Sequence, residues 1–286
     1  MVNLLVFGQT GQVARELARR APSWATLRQL SRSDVTLEDP AACAEAIRDA
    51  KVDAVINAAA WTAVDKAETE ETSATVVNGE APTAMARACA TRHIPFLHLS
   101  TDYVFDGAGD APFEPDHPTV PLGAYGRSKL KGEHGIQAAG GHQVILRTSW
   151  VVSAHGANFV KTMLRLGRER LSLNVVADQI GAPTPASAIA DALYICTAAM
   201  LNGSVGGIHH FAGTPDTSWA DFARAIMIAA NLPCQITDIA SAAYPTPARR
   251  PLNSRLDCNS LHKAFGIPRP DWQAGLFDMI KDLETA

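Results

Sequence analysis

The stretch Val2–Ala14 reads VNLLVFGQTGQVA, and its reading decides the fold. Val2, Leu4, Leu5, Val6 and Phe7 form a short apolar run of the kind found in strands covered on both faces. Gly8 ends that run. From Gln12 to Arg20 the pattern changes to a helical one, with Val13, Leu17 and Ala18 inward. A strand that turns through glycines into a helix is the phosphate-binding corner of a dinucleotide fold. In Gly8–Gln9–Thr10–Gly11–Gln12–Val13, Gly8 permits the tight turn and Gly11 lets backbone approach a pyrophosphate. Free N–H groups at the helix start then meet the negative charge. Ala14 stands where a third glycine is usual and is small enough for close helix–strand packing. A glycine pattern alone is a weak signal; its place between a strand and a helix gives it weight.

Outward from this corner the alternation continues. Leu27–Leu30 predicts a second strand, Asp39 starts a helix toward Ala50, and Ala54–Val55–Ile56 predicts a third strand. A long helix is expected over 74–92, a fourth strand over 95–99, a helix over 125–138 and a fifth strand over 144–146. Apolar strands alternating with helices predict an α/β fold, a Rossmann-type doubly wound parallel sheet. After Trp150 the rhythm loosens. Helices are expected over 158–168, 185–200 and 219–231, between loops rich in Gly, Pro and Thr. Tyr244–Pro251, with three prolines in eight residues, is no regular helix. Residues 1–150 are thus expected to form a dinucleotide-binding domain. Residues 151–286 are expected to form mainly a smaller substrate-binding lobe, with some segments returning to the main sheet.

A chain of 286 residues with a 47% hydrophobic fraction can bury a sizeable core. Its net charge of −4 gives no basic surface for nucleic acid or an acidic membrane. No apolar run reaches the roughly 18 residues of a membrane helix, and Val2–Phe7 is too short for a leader. The five cysteines are scattered and odd in number, which predicts buried thiols rather than disulfides or a zinc site. His209 and His210 are adjacent on an expected strand, so they face opposite ways, and no metal site is expected there. A cytoplasmic protein acting on a small molecule is the expectation.

Two further segments carry chemistry. Ser31–Arg32–Ser33–Asp34 follows the second strand, where an acidic residue would bind a ribose 2′-OH. Arg32 suits a 2′-phosphate instead, which favours NADPH with NADH as the alternative, and Asp34 is expected near the adenine end. Ala58, Ala59 and Ala60 follow the third strand, where small residues let a cofactor lie close to the backbone. Ser100–Thr101–Asp102–Tyr103–Val104 follows the fourth strand, at the carboxyl end where α/β sheets bind ligands. Tyr125 and Lys129 are four residues apart and share one helix face. Reducing a ketone needs a hydride at carbon and a proton at oxygen. Tyr125 is the expected general acid, Lys129 is expected to lower its proton affinity and hold the nicotinamide ribose, and Thr101 is expected to bind the substrate oxygen.

At these residues the chain closely resembles the dTDP-4-dehydrorhamnose reductases, a family of extended short-chain dehydrogenases/reductases. The resemblance covers nearly the whole chain: GQTGQVA from Gly8, NAAAWTAVDKAE (57–68), STDYVFDG (100–107), YGRSKLKGE (125–133), RTSWV (147–151), NFVKTML (158–164), DQIGAPT (178–184) and YPTPARRPLNSRL (244–256). It implies NAD(P)H-dependent reduction of the C4 ketone of dTDP-4-dehydro-β-L-rhamnose. It places Gly11, Gln12 and Val13 at the cofactor pyrophosphate, and Ala60, Trp61 and Thr62 along the cofactor. Thr101, Asp102, Val104 and Trp150 are implied at the substrate, with Asn158 and Arg250 as further candidates by motif position. Trp61 departs from the histidine often present in the family. Glu16 matches a position that holds Mg²⁺ across a dimer in some members, but Ser187 stands where another carboxylate is expected. No Mg²⁺ is therefore assigned, and a monomer or a homodimer is expected. A non-catalytic regulatory subunit on the same fold and a reductase of another nucleotide 4-ketosugar are the competing readings.

Overall fold

The computed structural model describes residues 1–285. β1 (Val2–Phe7) leads through the glycine corner into α1 (Gln12–Arg19), followed by β2 (Ala25–Leu30), α2 (Pro40–Asp49) and β3 (Ala54–Asn57). A helical run comes next, built of α3 (Val64–Ala67), α4 (Glu71–Thr75), a π segment at Val76–Glu80 and α5 (Ala81–Thr91). β4 (Phe96–Thr101), α6 (Ala124–Ala139) and β5 (Gln143–Thr148) complete the first half. The second half contains β6 (Val151–Val152), α7 (Phe159–Glu169), β7 (Ser172–Val176), β8 (Ile180–Gly181), β9 (Thr184–Pro185) and α8 (Ala186–Leu201). It ends with β10 (Gly207–His210), β11 (Thr217–Ser218), α9 (Trp219–Ala229), β12 (Gln235–Ile239), α10 (Asn259–Phe265) and α11 (Trp272–Glu284).

The central sheet has six strands in the order β10-β5-β4-β3-β1-β2, all parallel, so the expected α/β class with a parallel sheet is what forms. From β1 the chain moves outward to β2, then crosses back to β3 on the other side. That reversal between β1 and β3 is the switch point at which such sheets hold ligands. Leu4 and Val6 pack on one face with Leu17 of α1 and Ile189 and Leu193 of α8. Leu5 and Phe7 pack on the other with Ile47 of α2, Met85 of α5 and Ile136 of α6. β10, from the second half of the sequence, does return to the main sheet beside β5. A separate core joins α7, α9 and α11 to β7 and β12 through Val160, Leu173, Phe222, Ile226 and Leu276. The five cysteines are buried and free. His209 and His210 face opposite ways, toward Ser260 and toward the Phe113 carbonyl. No helix among the described residues is long and apolar enough to cross a membrane.

The helix expected over 74–92 starts earlier, at Glu71, and carries the π segment in its middle. The physical reason lies in Asn78. Its carboxamide clamps the Trp61 backbone from both sides, accepting from Trp61 N at 2.8 Å and donating to Trp61 O at 3.0 Å. It also donates to Ser128 Oγ of α6. Such a widened turn re-aims a side chain without ending the helix. α6 fits beside it only through Gly132, where an added Cβ would lie 2.2 Å from the Asn78 carbonyl oxygen. Gly132→Ala is therefore expected to destabilise the fold by roughly 1–3 kcal/mol, the cost of overpacking a closed interface. Urea denaturation measures this, and an unchanged midpoint would contradict the packing described.

Candidate active site

The turn after β1 opens onto a cavity of about 770 Å³ at the carboxyl ends of the central strands. Gly8 has φ of +114°, and a Cβ there would press on the Ala58 backbone at 3.3 Å, so this turn is open to glycine alone. Gly11 caps α1 without a side-chain acceptor, which leaves the first N–H groups of the helix free to face an anion. Small Ala58–Ala60 lie across from them. This corner fits the pyrophosphate of a dinucleotide.

The cavity wall brings together most of the residues singled out in the sequence. Gly8, Gln9, Thr10, Gly11, Gln12 and Val13 line it at one end, with Ser31 and Arg32 beyond. Ala58, Ala59, Ala60 and Thr62 form one side, and Thr101, Asp102, Tyr125, Lys129 and Trp150 the other.

Five expected residues lie outside that wall. Asp34 turns back to cap its own loop, accepting from Ser31 N at 2.8 Å and Ser31 Oγ at 2.6 Å. The Trp61 indole points away, donating to the Ala63 carbonyl, with Lys66 over its ring. Val104 is fully buried with Phe105, Phe113 and Leu256, because the short turn at Asp102–Val104 sends its first two side chains toward the cavity and the third into the core. Asn158 caps α7 through Lys161 N, and its amide donates to Ser153 O and to Gln12 Oε1. Arg250 is paired with Asp65 at 2.7 Å and sits against Tyr103, one side chain back from the cavity. Glu16 is buried and paired with Arg19 at 2.9 Å. Among the described residues, no group of three or more His, Cys, Asp or Glu side chains is gathered as a metal site would need.

The catalytic candidates share one setting. Tyr125, Lys129 and Glu133 recur at four-residue spacing on α6 and face β4 and β5. Burial pushes the Tyr125 phenol above its usual range, and hydrogen bonding with Thr101 works against that rise. Burial pushes Lys129, 2% exposed, down to about 8, with Glu133 opposing. The expectation that Lys129 lowers the Tyr125 phenol is corrected here. The lysine Nζ donates to the Leu99 carbonyl at 2.6 Å and lies 3.2 Å from His98 Nε2, while the phenol's electrostatic neighbours are Thr101, Asp102 and Tyr103. Asp102 is pushed up to about 6 by burial. Its carboxyl is bonded by the Thr101 hydroxyl at 3.1 Å, with Ser254 beside it, while the Thr148 Oγ1 is a buried polar atom without a partner.

Two features were not legible beforehand. Tyr103 lines the cavity and meets the Tyr125 ring edge-on at 5.4 Å. Its place beside Thr101 and Asp102 was the available signal. Trp150 holds φ of +48°, rare for a large side chain, and its indole stacks on Trp219 at 3.7 Å. A strained backbone fixed by packing is typical of a binding site.

Comparison with known proteins follows the same lines. The family model for the RmlD substrate binding domain matches residues 2–285. A dTDP-4-dehydrorhamnose reductase of Sinorhizobium fredii is 44% identical over 279 residues, 95% of this chain and 94% of that protein. A crystal structure of a dTDP-4-dehydrorhamnose reductase from Clostridium acetobutylicum superposes with a TM-score of 0.92 at 31% identity, covering 99% of both chains. The Bacillus anthracis dTDP-4-dehydrorhamnose reductase in complex with NADP gives a TM-score of 0.92 at 28% identity, over 98% of this chain and 99% of that one.

Proposed function

The chain belongs to the RmlD family, that of the dTDP-4-dehydrorhamnose reductases, and from that premise we propose how its cleft works. The enzyme is an oxidoreductase that reduces the C4 ketone of dTDP-4-dehydro-β-L-rhamnose to dTDP-β-L-rhamnose, the last step of dTDP-L-rhamnose biosynthesis. The observation that carries the mechanism is Tyr125 beside Thr101 on the cavity wall, with Lys129 on the same face of α6. The nicotinamide cofactor supplies the hydride. Tyr125 gives its phenolic proton to O4 of the sugar. A buried phenol that holds its proton firmly is suited to the acid's part in the reducing direction. Thr101 turns its hydroxyl proton from Asp102 Oδ1, 3.1 Å away, to the same oxygen and stabilises the charge that develops there. Lys129 anchors the nicotinamide ribose.

Other roles follow from position. Asp102 and Thr148 line the same stretch of cavity wall as Thr101 and bound the sugar subsite. Trp150 forms a flat wall for the substrate. Arg250 reaches the dTDP diphosphate by exchanging Asp65 for phosphate, a bidentate anion partner of the kind arginine favours. Asn158 braces Gln12 rather than touching substrate. Arg32, flanked by Ser31 and Ser33, binds the 2′-phosphate of NADPH. Residues 1–150 serve as the dinucleotide-binding domain and 151–286 mainly hold the sugar nucleotide, in a cytoplasmic enzyme. An intact Thr101, Tyr125 and Lys129 set favours this reading over a regulatory subunit.

Tyr125→Phe is expected to lower kcat for NADPH oxidation with dTDP-4-dehydrorhamnose by about 10²–10⁴-fold while nucleotide binding persists. Undiminished turnover would overturn the assignment. In the native enzyme kcat/KM is expected to hold below about pH 8 and fall above it. Lys129 carries its charge below its depressed value of about 8 and loses it as pH rises through that value, while Tyr125 stays protonated. Arg32→Ala is expected to raise KM for NADPH roughly tenfold, the loss of one charge-assisted contact, and to leave KM for NADH nearly unchanged. Equal effects on both cofactors in steady-state assays would contradict a 2′-phosphate contact.

A further inference from the structure

His98 lies on β4, 1% exposed, and touches both the catalytic helix and the loop at the cofactor side. Its Nε2 is 3.2 Å from Lys129 Nζ, and its Nδ1 is 3.1 Å from Asn57 Nδ2. The Asn57 Oδ1 is already taken by the Ala59 N–H at 3.1 Å. A neutral imidazole carries one donor and one acceptor. Asn57 presents its amide N–H to the ring, so Nδ1 is the acceptor and the ring proton sits on Nε2, facing Lys129. Turning the Asn57 amide over would set its NH₂ against the Ala59 N–H, donor against donor among buried groups. An ammonium group has no acceptor to offer an N–H. An uncharged amine has a lone pair, and it still donates to the Leu99 carbonyl 2.6 Å away.

We propose that His98 is a positioning residue for Lys129: as the Nε2–H tautomer it donates to the lysine amine, favours its uncharged form and holds it against the Leu99 carbonyl. When Lys129 takes a proton from the buffer, the Nε2–H···Nζ bond breaks and the ammonium is released toward the cavity. His98 thereby couples the lysine's charge to its position. This inference rests on the catalytic role given to Lys129 above. The other titratable groups around the lysine do not account for the coupling. Glu133, on the same helix, opposes it and is held by Arg147 of β5 and Ser100 of β4. Tyr125 and Asp102 interact with each other on the cavity side. From β3 only uncharged Asn57 reaches the ring. Burial, joined by the charge of Lys129 when that group is protonated, keeps the imidazole itself uncharged.

Nitrogen-15 spectra of the imidazole rings test the donor assignment directly, the His98 signals being those lost in His98→Gln. The expected result is a proton on Nε2 at neutral pH. A proton on Nδ1, or on both nitrogens, would overturn the proposal. The second measurement is the pH profile of kcat/KM. His98→Gln offers Lys129 a carbonyl oxygen in place of an N–H, so the basic limb is expected to move up by about one pH unit. A limb that stays or moves down counts against the proposal. Circular dichroism checks the variant's folding, and the tautomer of the unsubstituted protein decides the matter if the variant does not fold. Absence of sugar reduction by the unsubstituted enzyme would overturn the reductase reading while leaving the tautomer as measured, so the two failures are told apart.

Discussion

The site depends on how closely α6 lies against the sheet and the helical run beside it. Gly126 and Gly132 remove the side chains that would meet the Tyr103 and Asn78 carbonyl oxygens. The contact is then locked by a buried ion pair, with Arg147 of β5 bonded to both oxygens of Glu133 and neither side chain more than 3% exposed. A buried pair of this kind adds little net stability, but losing one partner strands the other charge. It fixes the register of α6 against β5. Tyr125 and Lys129 lie two turns and one turn before Glu133, so the same lock sets where they point.

From that packing the electrostatics follow. A helix face pressed onto a sheet leaves its polar groups short of water. Burial makes Tyr125 hold its proton and makes Lys129 yield one more readily. The two shifts move apart, Tyr125 up and Lys129 down, which separates a group that keeps its proton from one that gives it up near neutral pH. Across the cavity, the turn after β1 supplies the other half of the design without any charged side chain. There the backbone N–H groups of an uncapped helix are left free for an anion.

The features legible in the sequence were those imposed by local geometry. Gly8 and Gly11 are dictated by the turn, the parallel sheet by alternating apolar runs, and the Tyr125–Lys129 pairing by helical spacing. What escaped depends on contacts distant in sequence. The π segment answers to Asn78 reaching the Trp61 backbone and Ser128. Val104 and Asp34 stand next to residues of the cavity wall, yet a tight turn sends one into the core and folds the other onto Ser31. Thr148 enters the cavity because β5 pairs in register with β4, opposite Thr101, which no spacing within the chain reveals. The expected Lys129–Tyr125 coupling overlooked His98, whose position became apparent only once β4 was set against α6.

The central claim is that this cleft directs a hydride to C4 of a dTDP-linked 4-ketosugar. It is tested most directly by incubating the enzyme with dTDP-4-dehydro-β-L-rhamnose and NADPH deuterated at the transferable C4 position of the nicotinamide, then reading the product by NMR. The account predicts dTDP-β-L-rhamnose carrying deuterium at C4 of the sugar. Deuterium retained on the cofactor, or a sugar product without it at C4, would contradict the account.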